Sequence, residues 1–484
     1  MTSLLISLLI LVAGYVVYGA LAAKIFGIDP QRPMPAQTRA DGIDYIELPV
    51  WKVFLIQFLN IAGLGPIFGA IMGVMFGPAA FIWIVAGTIF GGAVHDFISA
   101  MMSVRSGGDS LPELVGRELG PVVKQVMRVF SVVLLVLVGA VFVINPADLV
   151  AGMTPEWATT TFWIGVIFIY YICATLLPID KLIGRFYPLF GFALLFMALG
   201  LLGALIFGGH TIPDGFAEGL ASRHPHADTH PIFPMMCVSI ACGAISGFHA
   251  TQSPMMARCL KNERLARPVF YGAMVAEGIV ALIWAAAAIT FTGGYAELNE
   301  YMANGGTSAS LVRDVSVGWL GTFGGILAIL GVVAAPITTG DTALRSARLI
   351  VADFLGLSQK GLVKRLLVSL PIFAVTFILM QLDYGVLWRY FAWSNQTLAV
   401  FTLWAATVYL SRHGKAYAIC LVPALFMTTV VVSYLFTAPS PEGFGLSLPA
   451  AMTIAAVADA VCLALFVRYR MLVRSGRLIH DVAY

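Results

Sequence analysis

The chain has 484 residues, 60% hydrophobic and only 11% charged, with a formal net charge of +3 and a mean hydropathy of +0.91. A water-soluble domain carries roughly a quarter of its residues as charged groups, so this chain has too little polar surface to live in water. The near-neutral charge likewise makes no case for a nucleic-acid partner.

Apolar runs of about 20 residues, each able to cross ~30 Å of hydrocarbon, recur along nearly the whole length. Thirteen spans are expected, at about 3–24, 53–75, 79–102, 123–145, 160–177, 186–207, 233–255, 269–292, 318–340, 366–382, 386–410, 416–437 and 448–467. The first has no basic stretch ahead of it and Lys24 behind it, the pattern of a retained signal-anchor rather than a cleaved leader. Sorting the 28 Lys and Arg by alternate connections leaves only Arg223, Arg313 and Arg389 on one side. The basic side faces the cytoplasm, so the amino terminus is expected outside and the carboxyl terminus inside.

The second span is interrupted. From Val53 to Met75 the chain is apolar apart from Gln57 and the patch "NIAGLGP", Asn60 to Pro66. Unwound backbone is tolerated in hydrocarbon only where protein buries it or it lines a cavity. Gly63 and Gly65 let the chain leave helical geometry, and Pro66 suits the first turn of a new half-helix. The new amino-terminal end would offer N–H groups and a positive dipole to an anion; the plainer alternative is a Pro kink with Gly packing.

A second interruption lies in the span 233–255, in "GAISGFHATQSP", which holds Gly247, Phe248, His249, Thr251, Gln252 and Ser253 and closes on Pro254. Ile61-Ala62-Gly63-Leu64 aligns with Ile245-Ser246-Gly247-Phe248, and an odd number of spans separates the two. Interrupted spans in matching positions of inverted halves point to a secondary-transporter site. The expected organisation is a lone helix and loop (1–50), a five-span repeat (51–207), an external loop (208–232), an inverted five-span repeat (233–410), then two spans and a basic tail (411–484). Candidate substrate-binding residues are Asn60, Gly63, Gly65, Gly247, Phe248, His249 and Gln252.

Ionisable residues inside spans are costly and therefore informative. His95-Asp96 lies nine residues from Arg105, about 13 Å deep at ~1.5 Å per residue. Glu277 lies nine residues beyond Pro268, at similar depth from the same face and in the equivalent helix of the other half. Stripped of water, such a carboxylate could take and release a proton near neutral pH; alternatively the two acids brace the bundle. In "TTGDTALRSAR", expected to end the span 318–340, Thr338, Thr339 and Asp341 would give oxygen ligands suited to sodium, facing the first break. Asp341 can instead pair with Arg345 four residues on. The coupling candidates are thus Asp96, Glu277, His95, Thr338, Thr339 and Asp341. "WSNQ", Trp393 to Gln396, reads as interhelical hydrogen bonding.

Six cysteines fall in or beside spans and suggest buried packing rather than disulfides. The external loop His210 to Pro231 holds four of the eight histidines; zinc or nickel could bind there, although a solvated loop suffices. Gly107 to Gly120 alternates charged and apolar residues and is expected along the cytoplasmic surface.

Taken together, "NIAGLGPI", "GGAVHDF", "ACGAISGFHA", "DTALRSAR" and "SNQ" resemble the carbon starvation protein CstA family over nearly the whole chain. The resemblance implies a bacterial inner-membrane transporter of the amino acid–polyamine–organocation superfamily, with the leucine-transporter-type 5+5 inverted repeat and discontinuous helices. It implies uptake of peptides or pyruvate under carbon starvation, proton-coupled, and a substrate site between the two breaks. The expectation is an all-α polytopic membrane protein that is not an enzyme and needs no cofactor beyond its coupling ion, H⁺ or alternatively Na⁺. Its partners would be a small carboxylate substrate and the bilayer. A channel, which relies on oligomeric symmetry around a pore, and an intramembrane metalloenzyme, which lacks ligand spacing such as HExxH, are the other classes.

Overall fold

Inside hydrocarbon every backbone N–H and C=O needs a protein partner, and the described chain meets that demand with helices and no strand. The computed structural model describes residues 2–41, 45–176, 179–214, 216, 219–357 and 361–475. Lys360 and Arg477, used in the topology argument, and Leu177, which ends an expected span, lie outside them.

Among the described residues nine helices are long and apolar enough to cross a membrane, or ten if one bent pair counts as a single span. In chain order the principal helices are α1 (Thr2–Phe26), the bent pair α2 (Val50–Ile61) and α3 (Gly65–Val74), α4 (Ala79–Arg105), α5 (Leu111–Leu119), α6 (Pro121–Ala151), α7 (Thr160–Leu176) and α8 (Ile179–Phe207). They continue with α9 (Gly247–Ala257), α10 (Glu263–Thr292), α11 (Ser308–Leu355), α12 (Leu362–Leu379), α13 (Tyr384–Arg412), α14 (Ala418–Thr437) and α15 (Leu448–Arg474).

Three of the thirteen expected spans fall short of that standard for separate reasons. The helix α7 has 17 residues, α13 has 29 but carries Arg389, Ser394, Asn395 and Gln396, and the chain from 232 to 257 is divided into short pieces. In α11 the helix continues through the segment Thr338 to Arg348 as far as Leu355, and it is bent earlier at Gly321, whose φ of 67° an L side chain resists.

Burial sorts the helices into a core and a rim. The apolar windows of α4, of α11 and of α10 are 83%, 82% and 78% buried, against 28% for α1 and 17% for α15. Outward faces of the rim helices carry Leu9, Val17, Leu367, Ile378, Val461 and Leu465, exposed as lipid-facing side chains are. At one end of the core, Glu263 is fully buried and takes Arg105 in a fork, 2.6 Å from Nε and 2.8 Å from Nη2. This pair ties the end of α4 to the start of α10 and so sets the register between Asp96 and Glu277.

The segment after Arg105 forms α5, an amphipathic helix that buries Leu111, Leu114 and Val115 and turns Arg117 toward Asp109 at 2.6 Å. Its Glu118 is also buried, 3.4 Å from Arg412 at the end of α13. Burial pushes the Glu118 carboxyl up to about 7, against the opposing pull of Arg412. A carboxyl raised on folding stabilises most below its unfolded value, and that contribution is lost as pH climbs through about 7. The melting temperature should therefore fall between pH 5 and pH 8. Glu118→Gln should flatten that slope and gain a few degrees at pH 8, roughly 2 kcal/mol. Differential scanning fluorimetry in detergent reads it; an unchanged slope in the variant would place the pH response elsewhere.

Candidate functional site

The first break lies where "NIAGLGP" put it. Helix α2 stops at Ile61, Ala62 leaves helical geometry (φ −80°, ψ 49°), and α3 restarts at Gly65 with a 56° bend. The second break lies earlier than the sequence suggested. Ile240 is non-helical, Ile245 and Ser246 are extended, and residues 247–254 are helical, with Pro254 inside α9. Unwinding settles where neighbours supply partners: Thr88 Oγ1 donates to the Gly243 carbonyl at 3.1 Å, and Gln396 Nε2 donates to that of Cys237 at 2.6 Å.

The two breaks pack directly on each other. A Cβ on Gly65 would stand 2.0 Å from Cys242 Cβ, and one on Gly92 of α4 would stand 2.3 Å from the Ala244 carbonyl oxygen. Glycine is required at both places by contact, since real Cβ atoms do not approach so closely.

Against this junction lies a buried polar line. Asp96 Oδ1 is 2.8 Å from His95 Nδ1, and Asp96 Oδ2 is 2.9 Å from His249 Nδ1. The far nitrogen of His249, Nε2, stands 3.5 Å from Glu277 Oε2. All four side chains are buried. A carboxylate between two Nδ1 atoms accepts from both, so each imidazole donates through Nδ1. His249 Nε2 and Glu277 Oε2 face each other at that separation without a hydrogen bond. Helix α2 joins through Gln57, whose Nε2 donates to Ser253 Oγ at 3.3 Å, while Ser253 donates to the His249 carbonyl at 2.9 Å.

The remaining sequence candidates divide. Asn60 is buried beside the first break, and among the described residues neither atom of its side-chain amide has a hydrogen-bond partner, nor do Gln252 Oε1, His249 Nε2 and both Glu277 oxygens. Gly63 faces the ring of Phe142, 2.6 Å from an added Cβ. Phe248 is buried in the first turn of α9, and Gln252 turns its Nε2 to Thr251 Oγ1 at 2.9 Å. Thr339 reaches the break, its hydroxyl within 3.2 Å of the Leu59 carbonyl and 3.3 Å of that of Asn60. Thr338 does not: its hydroxyl donates back to Ala334 and Ala335, and its side chain lines an apolar cavity of about 500 Å³ with Trp163, Tyr170 and Phe190. Consecutive helical residues point ~100° apart, and in this structure the two hydroxyls face different partners. Asp341 is buried on the same helix.

In the loop expected outside, the rings of His224, His226 and His230 cluster with centroids 5.2 to 6.3 Å apart. Among the described residues no three His, Cys, Asp or Glu groups are arranged to hold a metal ion, so the zinc or nickel option gains no geometry. Gln57, Ser253 and Thr88 are not among the site candidates read from the sequence; a polar side chain in an otherwise apolar helix was the available signal.

Comparison with known proteins gives the family. The model of the family described as carbon starvation protein CstA matches residues 1–162 and 151–319. The chain belongs to the carbon starvation protein CstA family. A Bacillus subtilis relative named peptide transporter CstA is 28% identical across 89% of this chain and 89% of its own length. An uncharacterized membrane protein of Haemophilus influenzae is 42% identical over 58% of this chain and 89% of its own. The pyruvate/proton symporter BtsT of Escherichia coli is 28% identical over 58% of this chain, which spans 47% of that protein. A solved manganese transporter of Eremococcus coleocola overlays 90% of this chain and 98% of its own at TM-score 0.49 and 11% identity, too distant to bear on function. The CstA-family chain is thus an all-helical, multi-pass membrane protein whose named relatives are transporters.

Proposed function

We propose that this CstA-family protein is a proton-coupled symporter that imports small carboxylates, peptides or pyruvate, across the bacterial inner membrane during carbon starvation. In this reading thirteen spans include inverted repeats at 51–207 and 233–410, the amino terminus lies outside, and the carboxyl terminus is cytoplasmic. Substrate would bind between the breaks, against Asn60, Gly63, Gly65, Gly247, Phe248 and Gln252. The observation that carries the reading is the Asp96–His249–Glu277 line, which joins α9, the half-helix beyond the second break, to α4 and α10.

The chemistry is a shared proton. With Asp96 anionic and His249 donating to it through Nδ1, the next proton rests on Glu277 or on His249 Nε2. Tilting α9 changes the 3.5 Å separation between those atoms, and with it which group holds the proton. Rocking of one repeat about a fixed site would in this way couple proton release to substrate release.

Charge balance supplies the test. A monocarboxylate carried with one proton moves no net charge, so proteoliposomes should accumulate pyruvate about tenfold per pH unit, whatever the potential. A zwitterionic peptide with one proton moves a positive charge and should gain a further ~2.3 kcal/mol per 100 mV, negative inside. Failure to accumulate under a proton gradient in sodium-free buffer, with recovery on adding sodium, would sink the proton reading.

One observation favours sodium as the second reading. The Thr339 hydroxyl has a single hydrogen, yet the carbonyls of Leu59, Asn60 and Ala335 all lie within 3.3 Å of its oxygen. Converging oxygens of that kind suit a small cation, and Thr339→Ala would then raise the sodium requirement.

A further inference from the structure

The extended residues at the second break are held from α13 by the amide of Asn395. Asn395 lies fully buried on the unbroken helix α13. Its Oδ1 accepts from Ser246 Oγ at 3.0 Å and from the backbone N–H of Phe248 at 2.7 Å. Its Nδ2 donates to Cys242 Sγ at 3.3 Å. Asn395 therefore grips both arms of the unwound stretch and serves as a distant cap for α9, whose own preceding residue, Ser246, makes no side-chain cap bond. Contact is close: a Cβ on Gly247 would stand 2.5 Å from the Asn395 carbonyl oxygen and 2.4 Å from Ala399 N. Directly after the capped Phe248 comes His249, with Asp96 on one nitrogen and Glu277 on the other.

We infer that Asn395 is a positioning residue: by capping the second break it fixes the turn that aims His249 between Asp96 and Glu277. The inference rests on the proton-coupled reading for its functional consequence, and on the capping geometry for its structural one. His249 is faced by Asp96 from α4, itself bonded to His95, and by Glu277 from α10. From α2 and α13 come the amides Gln57 and Asn395 instead of charges. Anything that rotates the first turn of α9 must therefore change how His249 divides its two contacts.

The test compares Asn395→Leu, which keeps the size and removes the amide, with Asn395→Asp, which keeps the acceptor for Phe248 N–H and Ser246 Oγ. Two measurements on full-length protein separate the parts. Deuterium exchange of the peptide covering 245–250 should quicken about fivefold to tenfold in the Leu variant and stay near wild type in the Asp variant. Pyruvate uptake per folded protein should lose about tenfold in Vmax in the Leu variant, with KM within about twofold and the pH midpoint displaced by at least half a unit. The Asp variant should keep at least about a third of the rate. Unchanged exchange in the Leu variant overturns the capping role, and changed exchange with an unmoved pH midpoint overturns the positioning of His249. If wild-type uptake ignores pH, the proton-coupled reading fails by itself, and exchange at 245–250 alone decides whether Asn395 holds the break.

Discussion

Glu277→Gln is expected to bring proton-driven accumulation down to the equilibrium ratio of about one while exchange counterflow survives. Gln keeps the volume of the buried side chain and can still face His249 Nε2, now 3.5 Å from Glu277 Oε2, but it cannot exchange a proton. Counterflow needs substrate binding and alternation without net proton movement, so only the coupled step is lost. Asp96→Asn should lose accumulation too, and it should also melt at a lower temperature. Two Nδ1–H groups converge on the Asp96 carboxylate at 2.8 and 2.9 Å, and an amide turns a donor toward one of them. A buried donor left facing a donor costs about 1–3 kcal/mol. Thr339→Ala separates the two coupling readings: it removes a hydroxyl at the first break and leaves Asp96, His249 and Glu277 in place, so proton-driven accumulation should persist. The measurements are pyruvate or dipeptide accumulation under an imposed pH gradient, counterflow in its absence, and melting temperature. Normal accumulation by Glu277→Gln would remove Glu277 from the coupling path.

Gly65→Ala is the second large effect, because the new methyl has nowhere to go. Its Cβ would lie 2.0 Å from Cys242 Cβ and 2.5 Å from Cys242 Sγ, and a Cβ cannot swing aside as the tip of a long side chain can. Overpacking of this kind costs about 1–3 kcal/mol, and here the cost is paid by separating the two breaks. Uptake should fall at least about tenfold while the protein still inserts and folds. Removing the opposing atoms tests the cause: Gly65→Ala combined with Cys242→Gly should recover much of the uptake. Recovery would be incomplete, since Cys242 Sγ also accepts from Asn395 Nδ2. Gly63→Ala should be milder, because the nearest obstacle is the Phe142 ring, which can rotate. Full activity in Gly65→Ala would mean that the breaks separate freely during transport.

Much of the membrane character, the first break and the burial of the two acids was legible without coordinates. Each depends on local quantities: the length of an apolar run, the presence of Gly and Pro within it, and the distance of a charge from a basic flank. Asp96 and Glu277 declare themselves because a carboxyl in hydrocarbon is expensive wherever the chain goes next. What joins them was not legible. His249 comes from a third segment, and only packing puts its two nitrogens against two acids at once. Pro254 suggested unwinding through residues 247–254, yet the chain unwinds before Gly247. The reason is that Thr88 and Asn395, both more than a hundred residues away in sequence, satisfy the backbone and side chains there. Likewise Thr338 and Thr339 are equivalent by composition, and helical phase against α2 sends one to the break and the other to an apolar cavity. By itself the sequence determined which groups are too polar to be left alone in lipid; the tertiary structure decided which partner satisfies each, because a hydrogen bond is set by a few tenths of an ångström between segments whose separation along the chain carries no such information.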